Sequence, residues 1–310
     1  MVQLTGETSV RLRILISVLI GAASGVFCWY ILRHLRLGAA DFTWTLRAAR
    51  FLLERQSPYD TPLQQYPMTA APFGIPFLWL PPEIAAGAFY GLSSALLAYG
   101  LSAHGYYRLF VFLAYPYWAG ILTAQWAPLI MAAAFFPLLL PATLAKPQVG
   151  LPVTLTRLTR KGIVACVVLI AATLLLLPRW PLLWIGQFGH YEHFFPILAL
   201  PGPLLALALF RYRERDAQFL LLSSIMPQRW FFDSFTLWLI PESRREILFT
   251  AALSWLPGIW RWYHMPGSYL EVGRWTVIFF YLPMLIVVMA RAQLLRKKWS
   301  GDSRAESTSS

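Results

Sequence analysis

Apolar residues fall in long runs along this chain, and the polar positions between the runs are short and mostly basic. The runs cover residues 14–32, 85–103, 109–124, 162–177, 195–210, 247–260 and 275–290. A helix that crosses the hydrocarbon core of a bilayer needs roughly 20 mostly apolar residues, and these runs meet or approach that length. The run over 14–32 carries no charge. It is longer than a signal-peptide core and lacks a small-x-small exit before Arg33, so it predicts a retained span. A different pattern follows it. Phe42, Leu46, Ala49 and Leu53 recur at helical spacing, with Arg47, Arg50, Glu54 and Arg55 around them. This predicts an amphipathic helix lying at the membrane interface. Residues 126–158 contain Pro128, Pro137, Pro141, Pro147 and Pro152. Each proline removes a backbone donor, and the groups so freed are tolerated in a membrane only inside protein or along a cavity. Residues 126–146 therefore predict a short broken helix or re-entrant hairpin. Residues 217–240 predict either one span containing Arg229 or two short helices meeting around 227–233.

Composition turns these runs into a fold class. The 310 residues are 58% hydrophobic and 13% charged, against about 25% charged in average soluble domains. One soluble core cannot bury that much apolar surface. The expectation is an all-α polytopic membrane protein with a bundle of about 8–11 transmembrane or re-entrant helices. Residues 1–292 form its single transmembrane domain, residues 36–83 its first external loop, and residues 293–310 a basic, then Ser-rich, cytoplasmic tail.

The net charge of +12 lies in clusters between the runs: Arg11 and Arg13; Arg157, Arg160 and Lys161; Arg211, Arg213 and Arg215; Arg244 and Arg245; Arg291, Arg296, Lys297 and Lys298. Such clusters mark cytoplasmic loops rather than a nucleic-acid surface. They put both termini in the cytoplasm, in what is expected to be a bacterial inner (plasma) membrane. Trp79, Trp126, Trp180 and Trp299 near segment ends fit an interfacial aromatic belt. Cys28 and Cys166 lie inside apolar runs and predict buried small hydrophobes rather than a disulfide or a metal site. Gly21 and Gly25 form a GxxxG pattern suited to close helix packing.

Few residues remain for chemistry. Asp41 opens the amphipathic helix about nine residues beyond the first run. It holds a carboxylate near the membrane surface and is also placed to cap that helix; the two roles do not exclude each other. Gln125 ends the third run. Lys146 and Arg229 are cations in apolar surroundings, which face a cavity or a partner or else snorkel to the interface. Together they would supply positive charge to a phosphate in a low-dielectric site. His190 and His193 straddle Glu192, but the spacing does not match HExxH and no third strong ligand lies nearby, so no metal is expected. No P-loop, dinucleotide fingerprint or GxSxG occurs.

Three stretches together resemble glycosyltransferase family 87, the polyprenol-phosphate-mannose-dependent mannosyltransferase-like membrane proteins of the GT-C class. The first is Asp41-Phe42 with the helix from Arg47 to Leu53, then Ser57-Pro58-Tyr59, Tyr66-Pro67 and Pro72. The second is Gln125-Trp126-Ala127-Pro128-Leu129, similar to a GQ-N-P-L stretch, with Ala124 and Ala127 in place of the family's glycine and asparagine. The third is Lys146-Pro147-Gln148-Val149-Gly150, similar to KPQ-G. Order and rough spacing agree over about residues 10–240. The resemblance implies a hexosyltransferase, with mannose as the expected sugar, acting on the external face. The donor would be a polyprenyl-phosphate sugar, and the acceptor a lipid-linked or other glycan. Asp41 would be the catalytic base. Lys146 and Arg229 would bind the donor phosphate, and Tyr66, Gln125, Gln148 and His190 the substrates. The apolar segments 72–82 and 126–146 would line a groove for the polyprenyl tail. The resemblance implies no cofactor, no nucleotide and no nucleic acid. A transporter or lipid flippase, whose folds also use broken helices and buried charges, and a non-catalytic membrane scaffold are the competing readings.

Overall fold

The computed structural model describes residues 6–60, 66–187 and 192–291. Among these residues the regular structure is all helical, and the one extended contact is an isolated antiparallel bridge between Phe194 and Gln228. In chain order the α-helices are α1 (Gly6–His34), α2 (Phe42–Leu53), α3 (Ala71–Gly74), α4 (Pro82–Ser102), α5 (Tyr115–Ile121) and α6 (Ala127–Ala132). They continue with α7 (Pro147–Thr156), α8 (Arg160–Leu176), α9 (Trp180–Ile185), α10 (Arg215–Ser224), α11 (Arg244–Tyr263) and α12 (Tyr269–Arg291, with a π turn at Val277–Tyr281). Short 3₁₀ segments at Tyr106–Leu113, Pro137–Ala145, Gly202–Arg211 and Phe231–Leu239 fill much of the remainder.

Among the described residues three helices are long and apolar enough to cross a membrane: Val10–His34, Pro82–Ser102 and Tyr269–Arg291. They contain the runs over 14–32, 85–103 and 275–290. The 162–177 run corresponds to α8, and the 247–260 run lies inside α11. Two runs are not single helices. The 109–124 run divides into the Tyr106–Leu113 segment and α5, with Pro116 in the first turn of α5. The 195–210 run becomes turns followed by Gly202–Arg211, because Pro196, Pro201 and Pro203 each lack a donor and push the preceding residue out of the helical region. The all-α membrane class therefore stands, while the set of regular spans is smaller than the hydrophobic runs suggest. Residues 126–146 are broken, into α6 and Pro137–Ala145. Residues 217–240 form two short elements that meet at a turn over residues 225–230.

Small residues set the central packing. α1 lies against α4, where Gly21 and Gly25 face Gly91 and Gly87. A Cβ on Gly21 would sit 2.7 Å from the Gly91 carbonyl oxygen, and one on Gly25 would sit 2.8 Å from that of Gly87. Both helices thus contribute a GxxxG face, which lets two backbones approach closely in lipid, where van der Waals packing rather than the hydrophobic effect drives association. Leu15, Val18, Leu19 and Val26 of α1 are exposed, as are Val164, Val167 and Val168 on α8. A soluble monomer rarely exposes so large an apolar surface; here it is the surface that lipid covers.

The amphipathic helix forms as α2, but its buried face is Phe42, Thr45, Leu46, Ala48, Ala49 and Leu52. Leu53, expected on that face, is exposed. The reason is tertiary. α2 packs on α3, where a Cβ on Gly74 would touch the Thr45 carbonyl oxygen and the Ala49 side chain. The helix is therefore docked on protein along one side rather than resting on lipid alone.

The long helices also give the molecule two ends. Arg13 donates to the Tyr99 carbonyl and to Ser102 at the last turn of α4. Arg108 follows α4, and Arg157 lies near enough to Arg215 and Arg108 to feel their repulsion. Arg291, at the end of α12, pairs with Asp216 and Glu246. The basic clusters thus gather at one end. At the other end lie the last turn of α1, the start of α4 and the start of α12. About 35 Å separates the ends of the 23-residue α12 at 1.5 Å per residue, comparable with a hydrocarbon core of roughly 30 Å.

A buried charge network beside a cavity

Asp41 sits in the N-cap position of α2, yet its side chain makes no capping bond and its backbone is helical, at φ −64° and ψ −24°. Its N–H instead donates to the Thr123 carbonyl, at 3.2 Å. Its carboxylate accepts from the Gln125 side-chain amide. The Asp41 side chain therefore does not cap α2.

Gln125 reaches Asp41 because of how α5 ends. Ala124 adopts φ +49°, and the Gln125 N–H returns to the Gly120 carbonyl, at 3.0 Å. This is a left-handed helix terminus of Schellman type. Glycine adopts that conformation without a Cβ penalty, and Ala124 adopts it with one. Gln125 is buried, and both ends of its amide are used: the nitrogen donates to Asp41, and the oxygen accepts from Lys146 Nζ at 2.7 Å.

Lys146 owes its place to Pro147. A residue before proline is pushed out of the helical region, and Lys146 has φ −139° and ψ 74°. The Pro137–Ala145 segment stops there and α7 begins. Gly150 lets α7 fold back against that segment, since a Cβ at this position would collide with the Thr143 carbonyl oxygen. The lysine and the glycine of the Lys146–Gly150 stretch therefore serve one tight turn. Nζ of Lys146 donates to Asp233 Oδ1 at 2.6 Å, an ion pair with side chains 6% and 1% exposed. The other Asp233 oxygen accepts the Arg229 backbone N–H at 3.1 Å. The Arg229 guanidinium bonds the Tyr269 hydroxyl at 3.3 Å and lies 5.6 Å from the centre of that ring.

These groups border a cavity of about 220 Å³ lined by Asp41, Tyr66, Thr123, Lys146, Gln148, Arg229, Trp230 and Phe232. Five of the seven residues singled out from sequence thus share one cavity wall, and Gln125 joins two of them from behind it. Tyr66 is buried and its carbonyl accepts from the Tyr59 hydroxyl; the Gln148 carbonyl faces the Gln228 amide at 3.5 Å. His190 lies outside the described residues. Burial raises the Asp41 carboxyl above its ordinary value, and Lys146 and the Gln125 bond oppose that rise.

Sequence reasoning missed Asp233. It lies in the strongly apolar Phe231–Leu239 segment, and a carboxylate there is costly unless paired. A buried lysine needs a counter-charge, and that requirement was the signal that could have pointed to it.

Two further cavities adjoin this one at Trp230, which lines all three. One, of about 440 Å³, is mostly apolar, with Ala119, Leu122, Phe231 and Trp262 beside Arg261. The other, of about 600 Å³, is lined by Glu192, His193, Pro266, Gly267, Ser268, Tyr269 and Val272. The segment 126–133 is buried in the core, so the apolar space next to the charge network is built from α5, the 231–239 segment and α11 instead. Among the described residues no three His, Cys, Asp or Glu side chains gather as a metal site. Comparison with protein-family models, curated proteins and solved structures finds no match.

Proposed function

We propose that the protein is an integral membrane glycosyltransferase with a GT-C-like bundle, moving a hexose from a polyprenyl-phosphate donor to a lipid-linked or glycan acceptor. The expected hexose is mannose. The observation that carries this reading is the Asp41 carboxylate on a cavity wall, held by Gln125 instead of capping α2, with Lys146 and Arg229 on the same wall. The site lies at the end of the molecule opposite the basic clusters, which supports an external location under the positive-inside rule.

In the proposed reaction Asp41 accepts the proton of an acceptor hydroxyl as that oxygen bonds to the anomeric carbon. The bond from that carbon to the phosphate oxygen breaks, and its electron pair leaves with the lipid phosphate. Burial that raises the Asp41 carboxyl makes the carboxylate a stronger base. Arg229 and Lys146 meet the charge that develops on the leaving phosphate. Lys146 spends two of its three N–H donors on Gln125 and Asp233, which leaves one for the cavity. Asp233 balances the charge of Lys146, and Arg229 brings a second cation to the same cavity wall. Gln125, with both amide ends engaged, holds Asp41 and Lys146 in register, and Tyr66 and Gln148 supply walls toward the sugar. The apolar cavity beside Trp230 suits the first isoprene units of the donor.

The test is transfer by the purified full chain in lipid, from labelled polyprenyl-phosphate hexoses to a panel of glycolipid acceptors. Labelled product that depends on both substrates is the expected result. No transfer from any polyprenyl-phosphate hexose, with folded protein, would sink the proposal.

A further inference from the structure

The chamber beyond Trp230 differs in chemistry from both of its neighbours. It offers the Glu192 carboxylate, the His193 ring and the Ser268 and Tyr269 hydroxyls, with the Trp230 and Tyr269 rings as walls. Those two rings meet edge to face, 5.4 Å apart. Among the described residues no lysine or arginine lines it, and a carboxylate repels anions, so phosphate is a poor occupant. A purely apolar tail is equally unsuited, since it would strip water from Glu192 without returning a hydrogen bond. A ligand with many hydroxyls and apolar C–H faces satisfies both kinds of wall. Its hydroxyls donate to Glu192 and accept from Ser268, whose oxygen takes the Glu271 N–H and so leaves its own proton to give. Its C–H faces lie on the aromatic rings.

We infer that this cavity is a saccharide site that seats the hydroxyl-rich acceptor, separate from the apolar chamber that Trp230 also lines. The inference rests on the transferase reading for the word acceptor, but not for the binding of sugar. The Arg229–Tyr269 hydrogen bond joins the two compartments: its donor lines the central cavity and its acceptor lines the polar one. A sugar held against Tyr269 is therefore one side chain away from the group proposed to hold the donor phosphate.

The experiment is binding of mannotriose to the purified full chain in nanodiscs with no donor present, read by saturation-transfer NMR and calorimetry. Saturable binding with a Kd of about 1 mM or tighter is expected. Glu192→Gln, on an exposed residue, should weaken it at least tenfold, and Tyr269→Ala should do the same. Where Tyr269→Ala does not fold, Glu192→Gln decides alone. No saturable binding to the parent, or equal binding by the parent and Glu192→Gln, overturns the inference. Intact binding by a protein that transfers no hexose would overturn the transferase and leave the saccharide site standing.

Discussion

Two charge networks occupy opposite ends of this molecule, and they use nearly the same residue types. At one end Arg291 pairs with Asp216 at 2.8 Å and Glu246 at 2.6 Å and donates to the Ile240 carbonyl at 2.7 Å. Glu246 at the same time completes the capping box of α11 with Ser243. This network ties the last turn of α12 to the starts of α10 and α11, and its side chains are all partly exposed. At the other end Lys146 pairs with Asp233 almost fully buried, and Gln125 extends the chain of bonds to Asp41 beside a cavity. The first network satisfies helix ends where water remains available. The second withdraws two charges from water, which costs several kcal/mol per ion before their attraction offsets it. A costly buried pair beside a cavity marks a candidate site, whereas a similar pair at helix ends marks an anchor.

The sharpest test of this contrast is Asp41→Asn. An asparagine oxygen still accepts from Gln125, so the fold and thermal midpoint should hold. Transfer should fall about 10²- to 10⁴-fold, the usual worth of a general base. Near-parental transfer by this variant would reduce the cavity end to another structural anchor.

Lys146→Met comes next. With the lysine removed, Asp233 is left as a buried carboxylate without its cation, so stability should fall by about 3–5 kcal/mol. Adding Asp233→Asn should restore most of that stability, by thermal unfolding in detergent, while transfer stays impaired in both. If Lys146→Met alone were as stable as the parent, the pair would not be the buried charge-balanced unit argued above.

Arg291→Gln tests the other end. Losing hydrogen bonds to charged groups costs about 1.5–3 kcal/mol each when buried, and partial exposure brings the expected loss to the low end of that range. Turnover per folded molecule should stay at the parental level. Reduced turnover at equal folded protein would show that the two ends are coupled.

The smallest effect is on pH dependence. Burial raises the Asp41 carboxyl, so on acidification it takes up its proton at a higher pH than an ordinary aspartate, whose value is about 3.9. Profiles of kcat/KM should fall as pH drops through that raised value, and this limb should be absent from the residual activity of Asp41→Asn. A limb at the ordinary value, or one that survives the substitution, would assign the titration to another group.

Several parts of the site are legible in the amino-acid sequence. Lys146 and Arg229 stand out because a cation in an apolar segment is expensive, and Asp41 and Gln125 because they end or begin segments at one side of the membrane. Asp233 does not stand out, because the 217–240 segment admits two readings and neither gives the carboxylate a partner. The orientation of α2 is also hidden. Its periodicity shows that one face is apolar, but α3 decides that Ala48 and Leu52 rather than Leu53 complete that face.

The chain's own pattern determines the all-helical membrane class, the apolar runs, the breaks at proline and the basic clusters. All of these follow from neighbours in sequence: apolar run length, missing donors and local charge. Tertiary structure alone decided that Asp41 meets Gln125 across 84 positions and that Lys146 meets Asp233 across 87. Those pairings depend on the left-handed turn at Ala124, the non-helical residue before Pro147 and the fold-back that Gly150 permits. No hydrophobic period encodes such turns, because each fixes a direction in space, and the partner that lies in that direction is set by every element packed between them.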